Sequence, residues 1–198
     1  MKNSENKRTL EMKKRDVLHA ATELFSMKSY EATTMSDISQ KANVSFGSVA
    51  SYYGSKESLF AICIEQPLEE FVDSFLNFNK HPTSIIDELE EMIKQHFILF
   101  SNMKVYLRLI VQVIAQHERF PNEFKMITQH TELIQNDIKI FIMYGQAVGQ
   151  LIDGDADRLS VAYINFLFGT VLSYANNPSE EEQNEFISIA IRMFGPIL

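Results

Sequence analysis

A chain of 198 residues with 45% hydrophobic content, 15 Phe and 9 Met has the material for a packed core, and its 7 Gly and 5 Pro favour long helices over a turn-rich sheet fold. No run reaches the ~18 uninterrupted apolar residues of a membrane span, residues 1–15 lack the apolar centre of a signal peptide, and the single Cys63 excludes an internal disulfide framework and fits a reducing cytoplasm. The net charge of −8 is unevenly spread: residues 1–60 hold 9 Lys and Arg against 7 Asp and Glu (+2), and the other 138 hold 9 against 19 (−10). DNA contact needs a local positive patch rather than a basic whole, so a nucleic-acid partner for the N-terminal part is not excluded.

Residues 1–8 are polar and read as a flexible arm, and positive charge gathers around it at Lys2, Lys7, Arg8, Lys13, Lys14 and Arg15. Val17, Leu18, Ala21, Leu24 and Phe25 then recur at helical spacing as one apolar face. Ser29-Tyr30 ends this helix. Thr34 caps a second helix, and Asp37 three residues later completes a capping-box pair. Asn43 stands where the chain must turn and tolerates a left-handed conformation. Ser45 caps a short third helix from Phe46 to Tyr53, Gly54 stops it, and Ser55 caps a fourth.

Two short helices joined by a tight turn, the second rich in small polar residues, follow the helix-turn-helix plan. Gly47, Ser48 and Ser51 let a helix backbone approach a major groove, and Phe46 stands beside them at the helix start. Hydroxyls on Thr34, Ser36, Ser45, Ser48, Tyr52 and Tyr53 can donate to phosphates, and Lys56 at a helix start reads as a phosphate clamp. Each hydroxyl has a plain alternative role as a helix cap; their clustering about one short helix favours DNA. Val49, Ala50 and Ser51 are poor long-range readers, so phosphate, methyl and shape readout are expected over bidentate base contacts.

This stretch resembles the N-terminal domain of TetR-family transcriptional repressors. The resemblance is carried by Arg15, Leu18, Ala20-Ala21, Leu24-Phe25, Tyr30, Thr33-Thr34, Ile38-Ser39, Ala42-Asn43-Val44-Ser45, Gly47-Ser48-Val49, Tyr52-Tyr53 and Ser55-Lys56-Glu57-Ser58-Leu59. It covers about a quarter of the chain. Ser29 replaces the family's corner glycine, Asn43 its turn glycine and Tyr53 its phenylalanine. Ala50 replaces a tyrosine that often packs against or touches DNA, so no direct contact is expected there.

Beyond residue 65 the chain reads as stacked helices. Gln66-Pro67 is expected to kink or break the fourth helix. His81-Pro82-Thr83-Ser84 precedes a helix with Ile85, Leu89, Met92 and Ile93, and Ser101-Asn102 precedes the apolar segment KVYLRLIVQVIA. Phe120-Pro121-Asn122 opens a long helix whose end Gly145 and Gly149 loosen. Residues 156–175 form a helix with no polar face, which must be buried on all sides. With the last helix at 180–194 it forms a hairpin suited to a two-fold, four-helix dimer interface. The residues assigned to it are Tyr163, Phe166, Leu167, Thr170, Val171, Tyr174, Phe186, Ile187, Ala190, Ile191 and Phe194. The resemblance implies the same dimer, and it also implies a ligand chamber among the middle helices. Its candidates are Met92, His96, Phe97, Phe100, Met103, Tyr106, Arg108, His117, Met126, His130, Phe141 and Tyr144. Ordinary core is the alternative for most of them, and ion pairing at the surface for Arg108.

The histidines lack metal-ligand spacing, and no nucleophile elbow, phosphate loop or dinucleotide motif is present, so neither metal nor cofactor is expected. The expected architecture is all-α: residues 1–60 a three-helix helix-turn-helix domain with its arm, residues 61–198 a helical ligand-binding and dimerisation domain. The expected function is a homodimeric repressor released from a palindromic double-stranded DNA operator by a small, largely apolar inducer, with no membrane partner. Two alternatives are a co-regulator acting through protein contacts and an enzyme with an apolar helical pocket; the second lacks an activated residue pair.

Overall fold

The computed structural model describes residues 2–173 and 178–195, with side chains from residue 9 onward. Among the described residues the elements are all helical: α1 (Lys2–Ala32), α2 (Met35–Lys41), α3 (Phe46–Tyr53), α4 (Lys56–Phe75), α5 (Ile85–Asn102), α6 (Lys104–Ala115), α7 (Pro121–Ala147), α8 (Ala156–Ser173) and α9 (Glu180–Phe194). The helix begins at Lys2 rather than after a flexible arm. Residues 2–16 contain neither Gly nor Pro and are dominated by Lys, Glu, Arg and Met, which favour helix even without tertiary packing. The chain forms two compact units, residues 1–68 with 108–124, and residues 69–107 with 125–198.

In the first unit, α2 packs on α3 and both pack on α1. The core takes Val17, Ala21 and Phe25 from α1, Ile38 from α2, Val49 from α3, and Leu59, Phe60 and Cys63 from α4, all at most 1% exposed. Burial pushes the Cys63 thiol up to about 12, so it is a packed, inert group. Residues 108–124 join this unit at the end of α1. Gln112 donates to the carbonyls of Phe25 at 3.0 Å and Ser26 at 3.4 Å, and Phe120 packs its ring against Tyr30 and Phe60.

In the second unit, α5, α8 and α9 pack on one another. Ser84 caps α5, and Ser179 with Glu182 forms a capping box on α9. A Cβ at Gly145 would lie 2.5 Å from Leu151 Cδ1, so the absence of a side chain lets Leu151 seat itself against α7. α4 continues through Pro67 rather than breaking there: the ring's fixed φ suits a helix, and the loss is confined to one backbone bond.

Candidate nucleic-acid interface

Local chemistry sets the α2–turn–α3 geometry. Thr34 Oγ1 accepts from the Asp37 amide at 3.1 Å, and Asp37 accepts in return from the Thr34 amide at 3.0 Å. These bonds hold the Asp37 carboxyl below its usual range. Asn43 makes the turn in the left-handed region at φ 53°. Ser45 Oγ accepts from the Ser48 amide at 3.1 Å, and the two hydroxyls lie 2.8 Å apart. Gly54 ends α3 at φ 73°.

α3 is anchored by Val49, which is fully buried, and turns its other side to solvent. Phe46 is 57% exposed, Gly47 and Ser51 are exposed, and Ser48 and Tyr52 are half-buried. A Cβ built on Gly47 meets no atom within 4 Å, so nothing inside the protein requires glycine there. Ser36 and Ser45 are also exposed. The side chains proposed for DNA therefore surround one presented helix face.

Besides Ser45 and Ser48, three more of them have internal partners. The Thr34 hydroxyl donates to Asp37 Oδ2 at 2.8 Å. Tyr53 Oη donates to the Lys14 carbonyl at 2.7 Å, joining α3 to α1. Lys56 turns inward: Nζ donates to the carbonyls of Tyr30 at 2.9 Å and Thr33 at 3.0 Å and lies 4.3 Å from the centre of the Tyr30 ring. Its charge holds the corner between α1 and α2, a role that calling it a phosphate clamp leaves out.

That corner holds features the sequence did not reveal. Tyr30 Oη donates to Glu57 at 2.9 Å, and burial with the Glu57 bond raises the phenol to about 12. Arg119 pairs with Glu31 while its guanidinium lies 4.8 Å from the centre of the Tyr30 ring. Arg119 lies 88 residues from Glu31, and no local pattern couples them.

Residues 17–63, which carry this geometry, match the family described as bacterial regulatory proteins, tetR family. The chain is 30% identical over 125 residues to the biofilm operon icaADBC HTH-type negative transcriptional regulator IcaR of Staphylococcus epidermidis, an alignment covering 60% of this chain and 66% of that protein, just under two thirds of the relative's length. It is 22% identical over 176 residues to the IcaR of Staphylococcus aureus strain Newman, covering 86% of this chain and 90% of that protein. The fold superposes on a bacterial regulatory protein of the tetR family from Rhodococcus RHA1 with a TM-score of 0.79, at 18% identity, covering 94% of this chain and 98% of that one.

The match at residues 17–63 is to the tetR family, and the fold is that of its solved members.

The sequence also points to a ligand chamber among the middle helices. Arg108 and His117 fall in the first unit and the other ten candidates in the second. Arg108 is half-buried, and His117 is exposed with its ring 5.3 Å from that of Phe124. Met92, His96, Phe97, Phe100, Tyr106 and Phe141 are at most 4% exposed. Phe97 stacks on Phe186 at 5.9 Å and Phe100 meets Phe168 edge-on at 4.9 Å, which is the packing of a core. Met103, Met126, His130 and Tyr144 are half-buried; the His130 ring bonds the Met126 carbonyl of its own helix at 2.9 Å. A shallow, open depression runs along the outer side of α9 past Glu181, Glu185 and Arg192, and none of the ligand candidates borders it.

The dimer candidates divide in the same way. Tyr163, Leu167, Val171, Ala190 and Phe194 are at most 1% exposed within the single chain. They are interior rather than interfacial, because the inward stripes of α8 and α9 meet α5 and each other. Phe166, Thr170, Phe186, Ile187 and Ile191 are half-buried, and Tyr174 lies outside the described residues. Exposed apolar surface adds Val161 at 39% and Ile189 at 46%, neither of which is among the interface candidates. Among the described residues, α8 is not buried on all sides.

Proposed function

We propose that this chain is a homodimeric transcriptional repressor that binds a palindromic double-stranded operator through α3 and is released by a small, largely apolar ligand. The observation that carries the reading is the bare outer face of α3. A buried Val49 fixes the helix, while Phe46, Gly47 and Ser51 face outward with no internal task. Such a face admits the major groove closely, and an exposed Phe suits a thymine methyl. The sign of regulation follows the staphylococcal relatives, which are named negative regulators.

Dimerisation is supported by the uncovered apolar side of α8 and α9, where Val161 and Ile189 stand exposed. Two copies of a single short reading helix would meet half-sites about one helical turn apart, roughly 34–36 Å. The inducer's site is proposed in the Met- and Phe-rich interior of the second unit; a ligand there acts only by binding one of two dimer states more tightly. No single helix among the described residues is long and apolar enough to cross a membrane.

The test is binding of the purified protein to its own upstream DNA across a salt series, with unrelated DNA as control. Sequence-preferring binding that weakens steeply with salt supports the reading. Equal affinity for both DNAs at every salt concentration refutes it.

A further inference from the structure

We propose that Arg119, carried on the turn that follows α6, is a positioning residue for the reading helix: it holds the backbone corner at Ser29, from which α2 and α3 leave α1, in a conformation that this corner does not keep by itself. That α3 reads DNA rests on the function proposed above; the hold on the corner does not. Strain is the first observation. Ser29 stands at φ 76°, ψ 166° inside α1, a region essentially reserved for glycine. Shortly after it, Thr34 already caps α2. The angles at Ser29 therefore set the direction in which the helix-turn-helix leaves the first helix.

The second observation is what grips the corner. Thr33 Oγ1 closes it from within, donating to the Ser29 carbonyl at 2.8 Å and lying 3.2 Å from the Leu24 carbonyl. The other bonds come from far along the chain. Gln112 of α6 donates to the carbonyls of Phe25 and Ser26, just before Ser29. Lys56 of α4 donates to the carbonyls of Tyr30 and Thr33, just after it. Between them Arg119 pairs with Glu31, its guanidinium 4.8 Å from the centre of the Tyr30 ring. The Glu31 carboxyl is held below the usual carboxylate range by its own backbone amide, by the Ser29 hydroxyl and by Arg119. One carboxylate thus ties the guanidinium to the strained residue itself.

The third is the seat of Arg119. The amides of Arg119 and Phe120 both donate to the Gln116 carbonyl, at 2.9 and 3.2 Å, which closes the turn after α6. Phe120 is buried, with its ring 5.3 Å from that of Tyr30 and 4.7 Å from that of Phe60. The backbone that carries the guanidinium is thereby fixed against the corner. The side chains of Arg119 and Glu31 are each 46% exposed, and an ion pair that open adds little to global stability. Its leverage is on one strained element: where the corner relaxes, α2 and α3 leave α1 in another direction, and apparent DNA affinity falls with the fraction of heads in the competent geometry.

The experiment is a double-mutant cycle between Arg119→Gln and Ser29→Gly. Glycine adopts the observed angles without strain, so a corner relieved in this way needs no hold. Amide hydrogen exchange in α2 and α3 is followed for each protein below its melting transition. Arg119→Gln is expected to speed it about fivefold in the wild-type background and less than about twofold in the Ser29→Gly background. Ser29→Ala drops the hydroxyl but keeps the strain, and should retain the full effect of Arg119→Gln. Titrations on upstream DNA should repeat the pattern: binding about fivefold weaker for Arg119→Gln, at the wild-type salt slope, and restored in the double variant. Equal effects of Arg119→Gln in the wild-type and Ser29→Gly backgrounds overturn the inference. So does a salt slope shallower by about 0.9, which would make Arg119 a phosphate contact. Exchange that follows the cycle, while no protein prefers upstream to unrelated DNA, leaves Arg119 a positioning residue and sinks the operator reading instead.

Discussion

His96 Nδ1 lies 2.8 Å from Tyr163 Oη, in the interior of the second unit. The other ring nitrogen, Nε2, lies 2.7 Å from the Phe75 carbonyl, which can only accept. Nε2 therefore carries the proton of the neutral ring, and Nδ1 accepts from the tyrosine. The ring is sandwiched against Phe75 at 3.7 Å. Tyr163→Phe leaves the Nδ1 lone pair buried and unpaired, at a cost of about 1–3 kcal/mol. Urea unfolding is expected to show that loss, while sedimentation at low concentration shows an unchanged association state, because Tyr163 is interior rather than interfacial.

The same pair makes stability pH-dependent. Burial lowers the His96 pKa to about 4, the Phe75 bond only partly opposing it. An unfolded histidine titrates near ~6.5, so between these values the unfolded chain takes up a proton that the folded chain refuses. The contribution is present in full above the unfolded value and is lost as pH falls toward 4. Its size is of order 3 kcal/mol. Unfolding midpoints measured at pH 7.5, 6, 5 and 4.5 should fall for wild type, and His96→Gln should be flatter over the same interval. Parallel curves would show that His96 does not titrate in this way.

Ser29 interrupts α1 at φ 76°, ψ 166°, a region that residues with a Cβ rarely adopt. The corner is held there by Thr33 Oγ1, which donates to the Ser29 carbonyl at 2.8 Å. Ser29→Gly relieves the strain but widens the unfolded ensemble, leaving a net gain of about 1 kcal/mol. In a chain of this size that raises Tm by roughly 2–4 °C. Calorimetry showing a lower Tm would mean that the serine hydroxyl outweighs its backbone strain.

What was legible in the sequence was what local bonding decides. The Thr34–Asp37 box and the Ser45 cap each join residues three positions apart, and Asn43 answers one backbone angle. The partners of Lys56 lie 26 and 23 residues away, and nothing near Lys56 distinguishes a lysine that turns inward from one that meets phosphate. α8 poses a different problem. A helix apolar on every side gives no sequence cue to which stripe faces its own chain, so nothing in the pattern separates buried Tyr163 and Leu167 from exposed Val161. The placement of residues 108–124 with the N-terminal helices is invisible to periodicity, since the Gln112 and Arg119 contacts there are with residues more than eighty positions away.

The inward orientation of Lys56 has its own consequence. Lys56→Met keeps the aliphatic stem and leaves the Tyr30 and Thr33 carbonyls without their ammonium donor. The expected loss is about 1–3 kcal/mol of stability. The salt slope of DNA binding, measured below the melting transition, should stay at the wild-type value. A slope shallower by about 0.9 would mean that Lys56 also contacts a phosphate.

Gly47 gives the converse case. It lies inside α3, where glycine is less favourable than alanine by about 0.5–1 kcal/mol, and the space around it is open in the free protein. Gly47→Ala should therefore raise stability slightly. If glycine is there so that the helix backbone can approach a groove, the added methyl stands between backbone and DNA, and upstream-DNA affinity should fall on the order of tenfold, about 1.4 kcal/mol. Stability and binding then move in opposite directions, which a folding defect cannot produce. Paired thermal melts and DNA titrations of this variant measure both; unchanged affinity alongside higher Tm would remove close groove approach at Gly47 from the mechanism.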